Sequence, residues 1–346
     1  MTKQSKNRIL WIDSMKIFSC LLVVIGHLYM SMKSGGWISG DAVYYCFPIQ
    51  TVYAFHVPLF FVCSGYLYQH KNVEYTLNSH INNIKNKALN LGIPYLSFTL
   101  LTLILKIIFS DFVNNQATPI IRTIFWEPIA PYWYLYTLFF ICCFIPRQKD
   151  KNGLIVVFLI SAVAKIVYIF VFWQISFPDI ITKVVGNAVW FSFGMLLTYK
   201  KFWKVIINKL AMVICFFVGL ILSIMFYRKC CDSDIVQFAV AIMFVYSFTC
   251  FFATIVRGLD GDIIYKINKY FMPVYLMHTI VAAGVRTLLL KIGITSLIVH
   301  FSLGLILSIL IPIFLYEFAL KKWWILFWIE PQKAIKIRKI NLSLKY

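Results

Sequence analysis

The sequence predicts an all-α, polytopic membrane protein with about ten transmembrane helices around a central cavity. Three observations carry that prediction. The 346 residues are 61% hydrophobic and only 13% charged, with a mean hydropathy of +0.80, which is far from the composition of a soluble domain. The apolar residues gather in runs close to the roughly 20 residues that a spanning helix needs. The cations crowd into alternate connections, as the positive-inside rule describes.

Taken in order, the first span covers 12–33. It is long and has no A-x-A-like cleavage site after it, so it is expected to stay as a helix and not to be removed as a signal peptide. The second and third spans cover 46–68 and 89–109. The fourth, 132–146, is short, as is the sixth, 184–199, and the fifth between them covers 154–173. Spans at 210–227, 235–256, 271–290 and 296–317 complete the set. No connection is long enough for a separate soluble domain, and there is no internal repeat or low-complexity tract. The chain 1–346 is read as one membrane domain with a short basic N-terminus and a basic tail over about 321–346.

The net charge of +20 could suggest nucleic acid, but its distribution argues otherwise. With the N-terminus in the cytoplasm, 24 of the 33 Lys and Arg residues fall on the inner side and eight on the outer, with Lys165 inside a span. The bias places both termini in the cytoplasm and leaves seven tail cations to meet anionic lipid headgroups. No nucleic-acid partner is expected. Of the nine cysteines, six lie in apolar spans, where Cys acts as a small hydrophobe. Cys46, Cys230 and Cys231 fall near the outer face, and spacing leaves open a disulfide between Cys46 and one of the pair. No C-x-x-C or H-E-x-x-H spacing occurs, so no metal and no bound cofactor are expected.

Ionisable groups inside spans are costly and mark functional sites. Three fall near mid-depth: His27 in the first span, His56 in the second and Lys165 in the fifth. Lys16 and His27 are eleven residues apart on one helix, about 20° from three full turns and ~16 Å along the axis. Asp13, three residues before Lys16, joins the same face as an ion-pair partner. One stripe thus carries a cation at the headgroups and an imidazole about halfway across, and it should face a cavity. An extended pantetheine arm has roughly this reach, so an acyl-CoA could set its phosphates at Lys16 and its thioester at His27.

These residues carry a resemblance. Lys16, ten residues, then His27, within Arg8, Trp11, Asp13 and "VVIGH", is similar to the first-helix motif of the integral membrane acyltransferase 3 family. "FHVPLFFVCSGYLY" (55–68) resembles that family's second-helix motif, with Val57 in place of the usual methionine. "YWYLYTL" (132–138) and "VYLMH" (274–278) follow in family order, which adds His278. One departure stands out: the basic R-x-x-R element before the third span reads Lys87 and Asn90 here. Lysine lacks arginine's bidentate fork, and Lys85 is the nearest replacement.

The resemblance implies a bacterial cytoplasmic-membrane enzyme that transfers an acyl group, usually acetyl from cytoplasmic acetyl-CoA, to a hydroxyl of a cell-envelope glycan or lipid-linked sugar. Lys16, Lys87 and Lys85 would hold the donor. A hydroxyl needs a positioned base, and His27 would take its proton as the oxygen attacks the thioester. His56, Ser64 or backbone amides would meet the oxyanion, and a relay through acyl-His27 is a second route. Gly65 would allow close helix approach or passage of the donor arm. The competing reading is a secondary transporter or glycan-export component with His27, His56 and Lys165 as a proton relay.

Overall fold

The structure, a computed structural model, describes residues 9–39, 42–70, 76–110, 118–171, 177–228, 234–256 and 261–343. Lys3, Lys6, Arg8, Lys71, Lys229, Arg257, Lys345, Cys230 and Cys231, used above for topology or disulfide pairing, lie outside the described residues. Every regular element among the described residues is helical.

α1 (Leu10–Ser34) begins on one face of the molecule, here called proximal, and ends on the other, called distal. α2 (Val43–His70) returns to the proximal face. α3 (Leu77–Lys87) passes through a π-helical turn at Ala88–Gly92 into α4 (Ile93–Ile108). After the short α5 (Ile120–Phe125) comes α6 (Trp133–Phe144), then α7 (Lys151–Val171) and α8 (Asp179–Leu196). α9 (Lys200–Ile206) bends away from α8 by 107°. α10 (Lys209–Tyr227), α11 (Asp234–Ile255), α12 (Gly261–Asn268), α13 (Phe271–Lys291) and α14 (Leu297–Leu320) follow. α15 (Trp323–Leu326) and α16 (Pro331–Ser343) close the chain on the proximal face.

Among the described residues, eight helices are long and apolar enough to cross a membrane: α1, α2, the continuous α3–α4, α7, α10, α11, α13 and α14. α8 with α9 makes a ninth if the bent pair is one span. The expected fourth span is the twelve-residue α6, which is only ~18 Å long. Its shortness has a local cause. The chain before it enters as non-helical backbone through Ile129, Ala130 and Pro131, and Ala130 and Pro131 reach a cavity wall. Irregular backbone at that depth is tolerated where it is buried in protein or lines a cavity.

α2 is the central helix. Leu59, Phe60, Phe61, Val62 and Cys63 are all essentially inaccessible. Its tightest partner is α8. A Cβ on Gly65 would stand 1.9 Å from the Phe191 carbonyl oxygen, and one on Gly194 would stand 2.1 Å from that of Val62. Reciprocal glycines therefore let the two backbones touch, the small-residue packing that membranes favour in place of a hydrophobic driving force. α7, α10 and α14 instead expose apolar side chains such as Ile160, Phe217 and Phe314, which suits a lipid-facing ring.

Candidate active site

A cavity of about 1030 Å³ lies inside this ring. Its wall draws on the C-terminal ends of α1, α4 and α13 and on the N-terminal ends of α8 and α11. It therefore occupies the distal half, with the exposed Phe109 and Lys291 at its rim. His27 and His56 lie in its wall, together with Tyr53, Tyr134, Lys165 and Tyr275.

Each histidine is held differently. His27 makes no hydrogen bond to any described residue; its ring leans on His278, centroid to centroid 5.3 Å. His278 is buried behind it, and its Nδ1 lies 2.8 Å from the Tyr275 carbonyl and 3.1 Å from that of Val274. A carbonyl can only accept, so Nδ1 carries the proton and Nε2 is an acceptor in the neutral ring. That Nε2 is buried with no hydrogen-bond partner among the described residues. His56 is set in the same way, Nδ1 donating 2.7 Å to the Val52 carbonyl. Pro58, two residues on, has no N–H, so the Ala54 carbonyl beside the cavity lacks its ordinary helical donor.

Tyr53 links the two histidine helices. A Cβ on Gly26 would come within 2.8 Å of its ring, so a larger residue beside His27 would make the Tyr53 ring shift. The ring meets His56 edge-on at 4.8 Å. Its hydroxyl makes no hydrogen bond to any described residue.

Lys16 is at the opposite, proximal end of α1. It pairs with the buried Asp13 at 3.9 Å, and its ammonium lies 4.9 Å over the Phe271 ring. Between it and the cavity floor stand Phe271, Phe60 and Tyr275, with centroids 5.5 and 6.3 Å from Phe271. Aromatic rings thus pack between Lys16 and the cavity floor. Farther round the same face, Lys87 and Arg147 share one ring: the lysine nitrogen is 6.0 Å and the guanidinium carbon 4.9 Å from the centre of Tyr68. Arg147 also donates to the Tyr68 carbonyl at 2.9 Å. Lys85, two residues from Lys87, is exposed on another side of α3, and the Asn90 side chain donates to the Asn86 carbonyl.

Ser64 does not line the cavity but bonds Tyr134, which does, hydroxyl to hydroxyl at 2.8 Å. Gly65 is spent on the α8 contact and does not reach the cavity. The structure thus brings His27, His56 and Lys165 into the wall of one cavity, with His278 packed behind His27. It keeps Asp13, Lys16, Lys85 and Lys87 on the proximal side. Sequence reasoning did not single out Tyr53, Arg147, Lys106 or Arg286. Tyr53 sits three residues before a histidine already marked. The three cations were counted only as span-end charges, although side chains of that length can reach inward.

The fold and this arrangement define a multi-pass, all-helical membrane protein with a histidine-lined cavity. The family model described as "Acyltransferase domain", of the acyltransferase 3 group, matches residues 9–317, nearly the whole chain, and the chain belongs to that family. It is a membrane acyltransferase. No curated protein and no solved structure matches it.

Proposed function

We propose that this acyltransferase moves an acetyl group from acetyl-CoA, held at the proximal face, to a hydroxyl of a cell-envelope glycan or lipid-linked sugar in the cavity. In this reading it sits in the bacterial cytoplasmic membrane with the proximal face and both termini in the cytoplasm, as the cation bias favours. One observation carries the reading. α1 bears Lys16 at its proximal end and, in the cavity wall, a His27 with no hydrogen bond to any described residue, ~16 Å apart on one face.

The acceptor oxygen attacks the thioester carbonyl while His27 takes its proton. A C–O bond forms, the tetrahedral intermediate collapses, the C–S bond breaks, and the thiolate leaves with the proton from His27. His278, its Nδ1 tied to two carbonyls, presents Nε2 as an acceptor that can orient the His27 ring. With its Nδ1 committed to Val52, neutral His56 offers an acceptor to the cavity and suits a sugar hydroxyl better than an oxyanion. The Tyr53 hydroxyl is the better oxyanion donor. Lys16, Lys87 and Arg147 would hold the donor's phosphates, with exposed Lys85 contributing least. Arg147 would supply the guanidinium that the element at Lys87 and Asn90 lacks.

The test is mass spectrometry of envelope glycans with and without the chain, paired with thiol release from acetyl-CoA by the purified protein. An added acetyl mass that disappears with the chain is expected. Solute uptake into proteoliposomes with no acylated product would overturn the reading in favour of transport.

A further inference from the structure

α4 and α13 flank the cavity and are tied together at one level. The buried Tyr132 hydroxyl donates to the Leu276 carbonyl at 3.0 Å and meets the Thr102 hydroxyl at 3.1 Å. Distal to that tie, Leu105 and Phe109 on α4 and Ile280, Gly284 and Leu288 on α13 line the cavity. These residues are not sealed inside the bundle. Gly284 is exposed, and Phe109 and Leu288 are 45% and 65% exposed. Residues that line the cavity and are also open to the outside mark a place where its wall is interrupted.

Gly284 locates the interruption. A Cβ there would meet no described atom within 4 Å. Neither a close contact nor a positive φ asks for glycine at this position, although glycine weakens a helix interior. Gly65 and Gly194 are by contrast crowded by backbone, and Gly304 by the Leu28 side chain at 2.9 Å. The opening lies at span depth. Gly284 is ~9 Å along the axis from His278 and ~10 Å short of the distal end of α13 at Lys291. The helix surface beside it is apolar and exposed at Ile104 and Ile108 on α4. On a spanning helix such a surface faces lipid.

We propose that the acceptor is a lipid-linked sugar that enters sideways from the bilayer, between α4 and α13. This rests on reading the cavity as the acceptor site. The hydrocarbon chain stays at the opening while the sugar passes Gly284 toward His27. The surfaces match the two halves of such a molecule. The lips present the apolar Leu105, Phe109, Ile280 and Leu288, and the wall behind them offers Tyr53, His56, Thr279 and Asn187 for hydrogen bonds. A water-soluble glycan has no apolar part to set between the lips. The short distance from Gly284 to the depth of the histidines puts the reacting hydroxyl on one of the sugars nearest the lipid.

The test uses the full chain in phosphatidylcholine nanodiscs. A polyprenyl-phosphate-linked glucose with a diazirine in its first isoprene unit is photocrosslinked, and the labelled peptides are read by mass spectrometry. The expected label falls on 102–109 and 280–288 and is removed by excess unlabelled probe but not by methyl glucoside. No label, label spread evenly over α7, α10 and α14, or label at the lips that excess probe leaves or methyl glucoside removes overturns the proposal. Acetyl transfer is followed in the same discs to lipid-linked sugars extracted from the envelope and to the same sugars freed from lipid by mild acid. The lipid-linked form should be preferred roughly 10-fold or more, as burial of a couple of methylene groups would give. Gly284→Phe, which fills the opening, should remove most of that preference, and Ile160→Phe on the exposed side of α7 should not. The open space at Gly284 favours folding of the first variant; if it fails to fold, the wild-type crosslinking decides. Equal transfer to lipid-linked and freed sugars, or a preference untouched by Gly284→Phe, refutes this inference alone. Competed label at the lips with no transfer and no thiol release refutes the acyltransfer reading instead.

Discussion

His27→Ala separates chemistry from folding more cleanly than any other change in the cavity. The ring has no hydrogen bond to lose among the described residues and stands in the wall of an open cavity. Its removal orphans no partner and only widens a space already about 1030 Å³. The stability change should stay within about 1 kcal/mol, since the mechanisms behind large losses are absent. Loss of a positioned base costs roughly 10²- to 10⁴-fold in rate, or about 2.7–5.4 kcal/mol of barrier at ~1.36 kcal/mol per decade. His27→Gln keeps volume and hydrogen bonding without a base, so it should lose as much. The assay is acetyl-CoA-dependent product formation in lipid, with thermal unfolding and donor binding measured on the same preparation. His278→Ala, by contrast, removes a buried ring that donates to two carbonyls, and should lower both stability and rate. If His27→Ala keeps more than about a tenth of wild-type turnover, the base assignment is wrong and the mechanism built on it falls.

Tyr53→Phe should lower kcat about 10²- to 10³-fold at unchanged donor KM if the hydroxyl meets the oxyanion; a full-rate variant would dismiss it. Lys16→Ala should raise the donor KM roughly 10-fold with kcat held, and Lys16→Arg should be tolerated; a lowered kcat alone would assign Lys16 elsewhere. Arg147→Ala and Lys87→Ala should each raise the donor KM more than Lys85→Ala, which steady-state kinetics will rank. Phe271→Ala should widen the space between Lys16 and the cavity, let in water and raise acceptor-free thioester hydrolysis, read as thiol release. Gly65→Leu should strongly lower the yield of folded protein, because even a Cβ there stands 1.9 Å from a carbonyl oxygen.

What was legible in the sequence was whatever one helix could carry. The face shared by Asp13, Lys16 and His27 follows from 3.6-residue periodicity, and an ionisable ring amid apolar residues already announces a cavity. The eight long spans follow from run length alone. The choice between the two uses of Gly65 did not follow, because it turns on the reciprocal Gly194, 129 positions later, which only the α2–α8 contact reveals. Nor did the partnership of Lys87, on α3, with Arg147, in the connection after α6, since both are read through Tyr68 on α2. The same limit explains the cations. Lys106 and Arg286 have the composition of topology signals, and periodicity has no means to tell a side chain that snorkels to headgroups from one that turns into a cavity. The short α6 makes the point from the backbone side. A run too apolar for a loop and too short for a span is what results when irregular chain at Ala130 and Pro131 lines a cavity and the helix starts there. Its first residues, Trp133 and Tyr134, then face the cavity because the helix begins at its wall. A weak span beside a midplane histidine is therefore itself a pointer to the site, and here it points to the same cavity as His27.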